Sequence, residues 1–102
     1  MKIYIAGPMT GYKNFNREKF LETARNIKAM GHEPIHTADM PDGLSYEDYM
    51  LESLNRLEDC DAIYLLKGWT KSNGANEEFI RARELGLEIF YEREGLLCLL
   101  KL

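Results

Sequence analysis

This 102-residue sequence lacks several features that mark particular protein classes. Its apolar runs fall well short of the ~20 residues that a membrane-spanning helix requires, so we expect no membrane partner. Its two cysteines, Cys60 and Cys98, lack metal-ligand spacing and are typical of reduced thiols in a cytoplasmic protein. The first residues enter a strand pattern directly, so we also expect no signal peptide.

A strongly basic segment is missing as well. The chain has 13 Lys and Arg residues against 17 Asp and Glu residues, which gives a net charge of −4. Because phosphate backbones attract basic surfaces, this balance argues against a nucleic-acid partner. Neither a Walker A loop nor a dinucleotide fingerprint occurs, and His32 and His36 have no metal-spaced partner, so we predict no cofactor and no bound metal. The composition, 45% hydrophobic and 29% charged, is that of an ordinary globular chain with one domain over residues 1–102.

Four strand patterns alternate with three helical patterns along the chain. The strands are predicted at Lys2–Ala6, Glu33–Ile35, 62–66 and 87–91. The first two helices follow the N-cap candidates Asn16 and Ser45, and the third covers residues 79–85 before Gly86. The apolar tail at residues 96–102 could form a fifth strand or an arm that faces a partner.

The start of the second helix has a specific pattern. Ser45 is the predicted N-cap, Asp48 stands at the third position of an approximate capping box, and Tyr49 belongs to a hydrophobic staple. The predicted buried side of this helix carries Tyr46, Met50, Leu54 and Leu57.

The alternation predicts an α/β fold with a parallel sheet between two layers of helices, a three-layer Rossmann-like arrangement. We expect the flavodoxin-like strand order 2-1-3-4, in which the first and third strands are neighbours. Ligands of such sheets bind outside the carboxyl ends of the strands, where the strand order reverses. The loops after strands one and three, residues 7–11 and 68–78, therefore converge on one crevice. A small molecule that carries a phosphate or a sugar suits this position.

The second of these loops contains two adjacent glutamates with different predicted orientations. Ala75 and Ala82 belong to a helical stripe that should pack on the sheet, and Glu78 lies on the edge of that stripe. Glu77 lies on the opposite side, four residues before Arg81, where an exposed ion pair is expected. A carboxylate drawn towards the core needs a partner or a function. The alternative is that Glu78 only complements the helix dipole.

Three motifs give the chain a family resemblance. They are Lys2-Ile3-Tyr4-Ile5-Ala6-Gly7-Pro8-Met9, Cys60-Asp61-Ala62-Ile63-Tyr64, and Gly74-Ala75-x-x-Glu78 followed by a helix that ends at Leu85-Gly86. In this order and spacing they resemble the nucleoside 2-deoxyribosyltransferase family, from residue 2 to about residue 92. The form Gly68-Trp69-x-x-Ser72-x-Gly74-Ala75 is most similar to a small phage and bacterial branch of that family.

The resemblance implies covalent chemistry at Glu78. In that family the glutamate four residues after the glycine attacks C1′ of a 2-deoxyribosyl group, expels the nucleobase and holds the sugar as an ester. A second base or water then accepts the sugar. The resemblance also implies that Tyr4, on the first strand, orients the glutamate, whereas a plain core aromatic is the alternative for this residue.

The resemblance further implies a set of substrate-binding residues. Those expected to hold the sugar and any 5′-phosphate are Gly7, Pro8, Met9, Ser72, Asn73 and Gly74. Trp69 could stack on a base, or it could lie at a subunit contact. The family usually has an aspartate on the second helix that positions and protonates the departing base, and here that position is Ser53. A serine can donate a hydrogen bond but is a poor acid.

Two main hypotheses follow. The first is an enzyme that cleaves the N-glycosidic bond of a (deoxy)nucleoside or its 5′-monophosphate, or transfers its deoxyribosyl group, through Glu78. The second is a protein on the same scaffold that binds a nucleotide or nucleotide-derived signal without turnover, which Ser53 favours. An enzyme for another ribosyl substrate, with water or a partner residue as the acid, is a third possibility. Sites in the family are often completed across a subunit interface, so the resemblance also implies a homo-oligomer.

Overall fold

The computed structural model describes residues 1–93. In these residues the elements are, in order, β1 Lys2–Ala6, α1 Arg17–Ala29, β2 Glu33–Ile35, α2 Tyr46–Glu58, β3 Ala62–Leu65, α3 Asn73–Leu85 and β4 Glu88–Tyr91. Two short 3₁₀ segments, Lys13–Asn16 and Trp69–Lys71, precede α1 and α3. The predicted tail at residues 96–102, with Cys98, lies outside the described residues.

The strands form one parallel sheet in the order β2-β1-β3-β4. This confirms the predicted order and the three-layer α/β class. β1 lies between β2 and β3, and its Tyr4 is in register with Ile35 on one side and Ile63 on the other. β2 is an edge strand, a position that tolerates Pro34. Within residues 1–93, each helix is too short or too polar to cross a membrane.

The two faces of the sheet pack against different helices. Side chains alternate along β1, so Ile3 and Ile5 pack towards α1, while Tyr4 and Ala6 pack towards α2 and α3. The first cluster takes Phe20, Ala24 and Ile27 from α1, and the second takes Leu57 from α2 and Ala75 and Ala82 from α3. Tyr4 therefore presents its phenol to the α2–α3 layer.

The starts of α1 and α2 differ from each other. Ser45 caps α2 as predicted, because its side-chain oxygen accepts the backbone N–H of Asp48 at 3.1 Å. Asn16 occupies the N-cap position of α1 as predicted, but its side chain makes no capping hydrogen bond. Residues 14–16 all have positive φ angles, from 50° to 61°, and Nδ2 of Asn16 donates to the carbonyl oxygen of Pro8 at 3.0 Å. The asparagine thus fixes the β1–α1 loop.

α3 begins at Asn73, six residues before the predicted start at Phe79. Ser72 is its N-cap, and its side-chain oxygen accepts the Ala75 backbone N–H at 3.2 Å. The pattern missed the first turns because they contain asparagine and glycine, which are weak helix formers. The earlier start places Glu78 inside the helix, where the helical geometry fixes its direction.

Two predictions about the surface between α2 and α3 are wrong. Tyr46 is 51% exposed, and its hydroxyl donates to Oε2 of Glu77 at 2.7 Å. Arg81 pairs with Glu58 at 2.9 Å and with Glu84 at 3.5 Å instead of with Glu77. Because α2 and α3 lie side by side, these contacts between the helices replace the expected pair within α3.

Candidate active site

A crevice of about 300 Å³ lies beyond the carboxyl ends of the strands. Its walls come from the β1–α1 segment, the β2–α2 loop, the first turn of α2 and the first turns of α3. β1 and β3 lead into the first and last of these walls, so the crevice occupies the position where the strand order reverses. The predicted loops 7–11 and 68–78 do contribute to one crevice, together with the β2–α2 loop.

Glu78 is the buried carboxyl group of this crevice. It lies on the same side of α3 as Ala75 and Ala82, which the sheet buries, and only 4% of its surface is exposed. The fully buried phenol of Tyr4 donates a hydrogen bond to Oε2 of Glu78. Among residues 1–93, no Lys, Arg or His forms an ion pair with Glu78. The inward orientation predicted for this side chain is therefore observed.

The surroundings of Glu78 change its acidity. Burial raises its pKa to about 7, while hydrogen bonds with Tyr4 and Ser53 oppose this effect and the charge of Glu77 adds to it. The pKa of Tyr4 is raised well above its usual value by burial and by the negative charge of Glu78. Tyr4 therefore keeps its proton and remains a donor, while Glu78 is present in both its charged and neutral forms near neutral pH.

Ser53 lies behind Glu78 and is fully buried. Its hydroxyl is 3.2 Å from the carbonyl oxygen of Met50, and its hydrogen bonding lowers the pKa of both Tyr4 and Glu78. It does not belong to the residues that line the crevice. In this structure the position supports the carboxylate and the phenol, rather than a group bound in the crevice.

The glycine-containing loops bring the backbone close to the crevice. A Cβ at Gly7 would lie 2.8 Å from the Cβ of Leu66, so this loop packs too closely against the residue that follows β3 for any side chain. A Cβ at Gly74 would lie 3.3 Å from the sulfur of Met50. The predicted site residues that line the crevice are Gly7, Met9, Ser72, Gly74 and Glu78.

The remaining predicted binding residues lie elsewhere. Pro8 accepts the hydrogen bond from Asn16 and is not part of the lining. Trp69 packs on Phe79, with ring centroids 4.8 Å apart, and on Tyr91 at 6.2 Å. Trp69 thus joins α3 to β4 and is not placed to stack on a ligand in the crevice.

Asn73 also faces away from the crevice. It lines a separate shallow groove with Tyr46, Asn76 and Glu77, on the outer side of the α3 N-terminus. Tyr46 borders both the groove and the crevice. The polar side chains at the start of α3 are therefore divided between two surfaces: Ser72 lines the crevice, and Asn73 and Asn76 line the groove.

Sequence reasoning missed the β2–α2 loop as a wall of the crevice. Arg17 holds this loop: its Nε donates to the carbonyl oxygen of Ala38 at 3.2 Å, and its Nη2 donates to that of Met40 at 3.4 Å. The same guanidinium pairs with Asp42. These partners lie 21 to 25 residues from Arg17 in the chain, so no local pattern indicates them.

A pair of hydroxyl groups in the crevice was also missed. The phenol oxygen of Tyr49 lies 2.6 Å from Oγ1 of Thr37 and 3.1 Å from the sulfur of Met9. Burial and the charge of Glu78 raise the pKa of Tyr49 to about 12. In the sequence, Tyr49 is one of the tyrosines at the start of a helix, and the hydrophobic-staple pattern already explained its presence there.

The residues described here do not assemble a metal site. Within residues 1–93, no three His, Cys, Asp or Glu side chains are grouped so that they could hold a metal ion. A buried carboxylate that accepts a phenol hydrogen bond and faces a cavity can act as a nucleophile or as a base.

The model for a domain of unknown function, DUF4406, matches residues 1–91. This chain belongs to the DUF4406 family. Comparison of the DUF4406 chain with curated proteins finds no match.

Among solved structures, the DUF4406 chain is similar to a 2-desoxiribosyltransferase from Leishmania mexicana, with a TM-score of 0.71 and 19% sequence identity. The match covers 88% of this chain and 62% of that chain, so the DUF4406 chain spans less than two thirds of the length of that enzyme. At this level of identity the similarity shows a shared fold, in agreement with the three-layer sheet.

Proposed function

We propose that this DUF4406 protein acts on the N-glycosidic bond of a (deoxy)nucleoside or its 5′-monophosphate, with Glu78 as the nucleophile and Tyr4 as its partner. The observation that carries this proposal is the buried carboxylate of Glu78, which faces the crevice and accepts a hydrogen bond from Tyr4. Burial of a charge without a cation costs free energy, which a catalytic role explains. The fold shared with a 2-desoxiribosyltransferase supports the same reaction class.

The proposed reaction proceeds in two displacements. In the first, one carboxylate oxygen of Glu78 forms a bond to C1′ while the bond from C1′ to the base breaks, and the base leaves with the electron pair. Tyr4 holds Oε2, so Oε1 is the attacking oxygen. In the second displacement a new base, or water, attacks C1′ and releases Glu78. The transition states resemble an oxocarbenium ion, which the adjacent carboxylate stabilises.

The substrate would occupy the space between the two loops. Gly7 and Met9 border it on the β1 side, and Ser72 and Gly74 border it at the start of α3. The N-terminus of α3 favours electron-rich oxygens of the sugar or of a 5′-phosphate.

A second candidate function is binding without turnover. Within residues 1–93, Asp42 is the only carboxylate besides Glu78 that lines the crevice, and it pairs with Arg17. Ser53 is buried away from the lining. The described crevice therefore offers no second carboxylic acid to protonate a leaving group, which favours a binding protein for a nucleotide or a nucleotide-derived signal.

The experiment that separates these functions is a base-release assay with matched glutamate variants. Wild type, Glu78→Gln and the control Glu77→Gln are incubated with 2′-deoxynucleosides, ribonucleosides and their 5′-monophosphates, with and without a second base. Glu77 is adjacent in sequence but does not line the crevice, and it accepts a hydrogen bond from Tyr46 at the rim, so Glu77→Gln should retain activity. Release that requires Glu78 supports the enzyme, and a new nucleoside formed from the added base identifies a transferase.

The same samples also test whether the protein only binds its ligand. Failure of wild type to release base from every compound contradicts the enzymatic proposal. A ligand-dependent rise in melting temperature without any change in the ligand then supports the binding protein.

We also propose that the protein is a homo-oligomer. Leu51 on α2 is 65% exposed and Ile80 on α3 is 57% exposed, and such apolar side chains suit a subunit contact. Light scattering after size-exclusion chromatography measures the mass directly. A monomer at the assay concentration contradicts this proposal.

A further inference from the structure

We propose that the hydroxyl pair of Thr37 and Tyr49 is the subsite that receives the departing nucleobase, and that Tyr49 donates a hydrogen bond to the base as its bond to C1′ breaks. This inference rests on the proposed function. It assigns a role to two residues that lie outside the loops 7–11 and 68–78.

The pair combines burial with an unused hydrogen-bonding capacity. Thr37 is only 2% exposed, and its Oγ1 lies 2.6 Å from the phenol oxygen of Tyr49. Two hydroxyl groups carry two protons, and the bond between them uses one. The other described neighbour of the Tyr49 oxygen is the sulfur of Met9, at 3.1 Å. A thioether is a weak acceptor, so a ligand oxygen or nitrogen can replace it at little cost.

Several other polar side chains of the crevice have firmer partners. Arg17 directs its guanidinium to Asp42 and to backbone carbonyl groups of the β2–α2 loop. Tyr46 donates to Glu77 at the rim, and the side-chain oxygen of Ser72 caps α3. In the described lining, the Thr37–Tyr49 pair therefore combines a buried hydroxyl group, that of Thr37, with a half-buried phenol that can donate to a ligand.

The topology places Thr37 across the end of β1 from the nucleophile, and Tyr49 on α2 is joined to Thr37 at 2.6 Å. Thr37 follows β2 and Glu78 lies on the helix after β3, while β1 runs between these two strands. The crevice spans the end of β1, with Glu78 on one side and Thr37 on the other. A displacement at C1′ requires the leaving group to lie on the face opposite the nucleophile, and glycosidases place their two groups on opposite sides of the scissile bond accordingly. A sugar attacked by Glu78 would direct its base to Thr37 and Tyr49.

Negative charge develops on the departing base, where a hydrogen bond from Tyr49 would stabilise it. Glu78 loses its negative charge when it forms the ester. The base becomes negative instead, because it keeps the electron pair of the broken bond. Tyr49 keeps its proton, shares it with the base in a hydrogen bond, and the released base takes its proton from water. The charge of Glu78 holds the pKa of Tyr49 high before the reaction, and its loss makes the phenol a stronger donor when the base becomes negative.

The test compares leaving groups that need this hydrogen bond with leaving groups that do not. The matched pair is 2′-deoxyguanosine and 7-methyl-2′-deoxyguanosine, because the methylated base departs without acquiring a net negative charge. A wild type that accepts only pyrimidines is tested with 2′-deoxyuridine and its 5-fluoro derivative, whose base is the more stable anion. The variants are Tyr49→Phe and Thr37→Val, with Tyr12→Phe as a control that removes a phenol outside the crevice lining.

We expect Tyr49→Phe to lower kcat/KM for the unactivated nucleoside roughly 100-fold, the usual effect of removing one donor from a developing anion. The activated partner should be affected far less. Thr37→Val, which removes the orienting hydroxyl, should give a smaller loss with the same dependence on the leaving group, and Thr37→Ser should restore activity. Tyr12→Phe should leave both substrates unchanged.

The outcomes separate this inference from the function on which it rests. Equal losses on both substrates mean that Tyr49 has only a structural role, and unchanged rates mean that the base lies elsewhere; either result overturns the subsite while the glycosidic reaction stands. Absence of base release by wild type overturns the proposed function and this subsite together.

Discussion

The two faces of the sheet differ in the kind of side chain that β1 places on them. Towards α1, β1 places Ile3 and Ile5 in an apolar cluster, and the buried Thr23 on that helix donates back to its own helix at Lys19, at 2.7 Å. Towards α2 and α3, the same strand places Tyr4 against a buried carboxylate. The first face gains stability from burial, whereas the second gives up some of that gain to hold a charge.

The buried polar side chains show how unequal the two faces are. Of the four buried polar or charged side chains other than tyrosine in residues 1–93, Thr37, Ser53 and Glu78 lie in or behind the crevice, and Thr23 lies on α1. Changes on the two faces should therefore separate activity from stability.

The largest expected effect is that of Glu78→Gln on base release. Removing the nucleophile should lower kcat at least about 1,000-fold, which corresponds to about 4 kcal/mol in the barrier. The same change should raise the melting temperature at pH 8, because a buried charge is replaced by a neutral group of similar shape. Chromatography of released base and thermal unfolding at pH 8 measure the two effects. A variant that is inactive because it is unfolded would break the comparison.

The matching change on the other face is Ile27→Ala. Ile27 is fully buried against β1, so its truncation should lower the free energy of unfolding by about 3 kcal/mol through lost burial and a cavity. Base release per folded molecule should stay unchanged at a temperature well below unfolding. Urea titration and the release assay test this. Loss of activity in the folded variant would show that the α1 face also shapes the site.

The third expected effect is a dependence of stability on pH that comes from Glu78. Its folded pKa of about 7 exceeds the reference value of 4.5, so the folded state binds more protons between these pH values. Its contribution to stability is therefore complete below pH 4.5 and is lost as the pH rises through 7, by about 3 kcal/mol. The difference in unfolding free energy between wild type and Glu78→Gln, followed from pH 4 to 8, isolates this group. A difference that does not change with pH would show that burial does not raise the pKa of Glu78 in the folded state.

The smallest expected effect is that of Tyr4→Phe. Loss of the phenol removes a hydrogen bond that lowers the pKa of Glu78, so that pKa should rise further. If the reaction needs the carboxylate, the acidic limb of the pH–rate profile should move up by about one unit, or about 1.4 kcal/mol. The rate at high pH should change less. A profile identical to that of wild type would leave Tyr4 as a core aromatic.

Much of this arrangement could be predicted from local patterns. The strand order follows from alternating elements with short loops, and the inward direction of Glu78 follows from its place on the α3 stripe. The contact between Tyr4 and Glu78 was indicated only by resemblance, because 74 residues separate them in the chain.

The missed features depend on packing between distant segments. Arg17 reaches a loop more than 20 residues away, and Trp69 turns towards β4 because Phe79 and Tyr91 offer an aromatic contact there. Tyr46 and Tyr49 share one helical turn, yet one bonds to Glu77 at the rim and the other to Thr37 in the crevice. Helical periodicity does not distinguish these two tyrosines.

The most direct test of the account is a search for a sugar adduct on Glu78. Wild-type protein is mixed with a 2′-deoxynucleoside that loses its base in the release assay, quenched in acid, digested and analysed by mass spectrometry. The account predicts a peptide containing Glu78 that has gained one deoxyribosyl group, and no such peptide from Glu78→Gln. Steady release of base without any adduct, or an adduct on another residue, would contradict the assignment of Glu78 as the nucleophile.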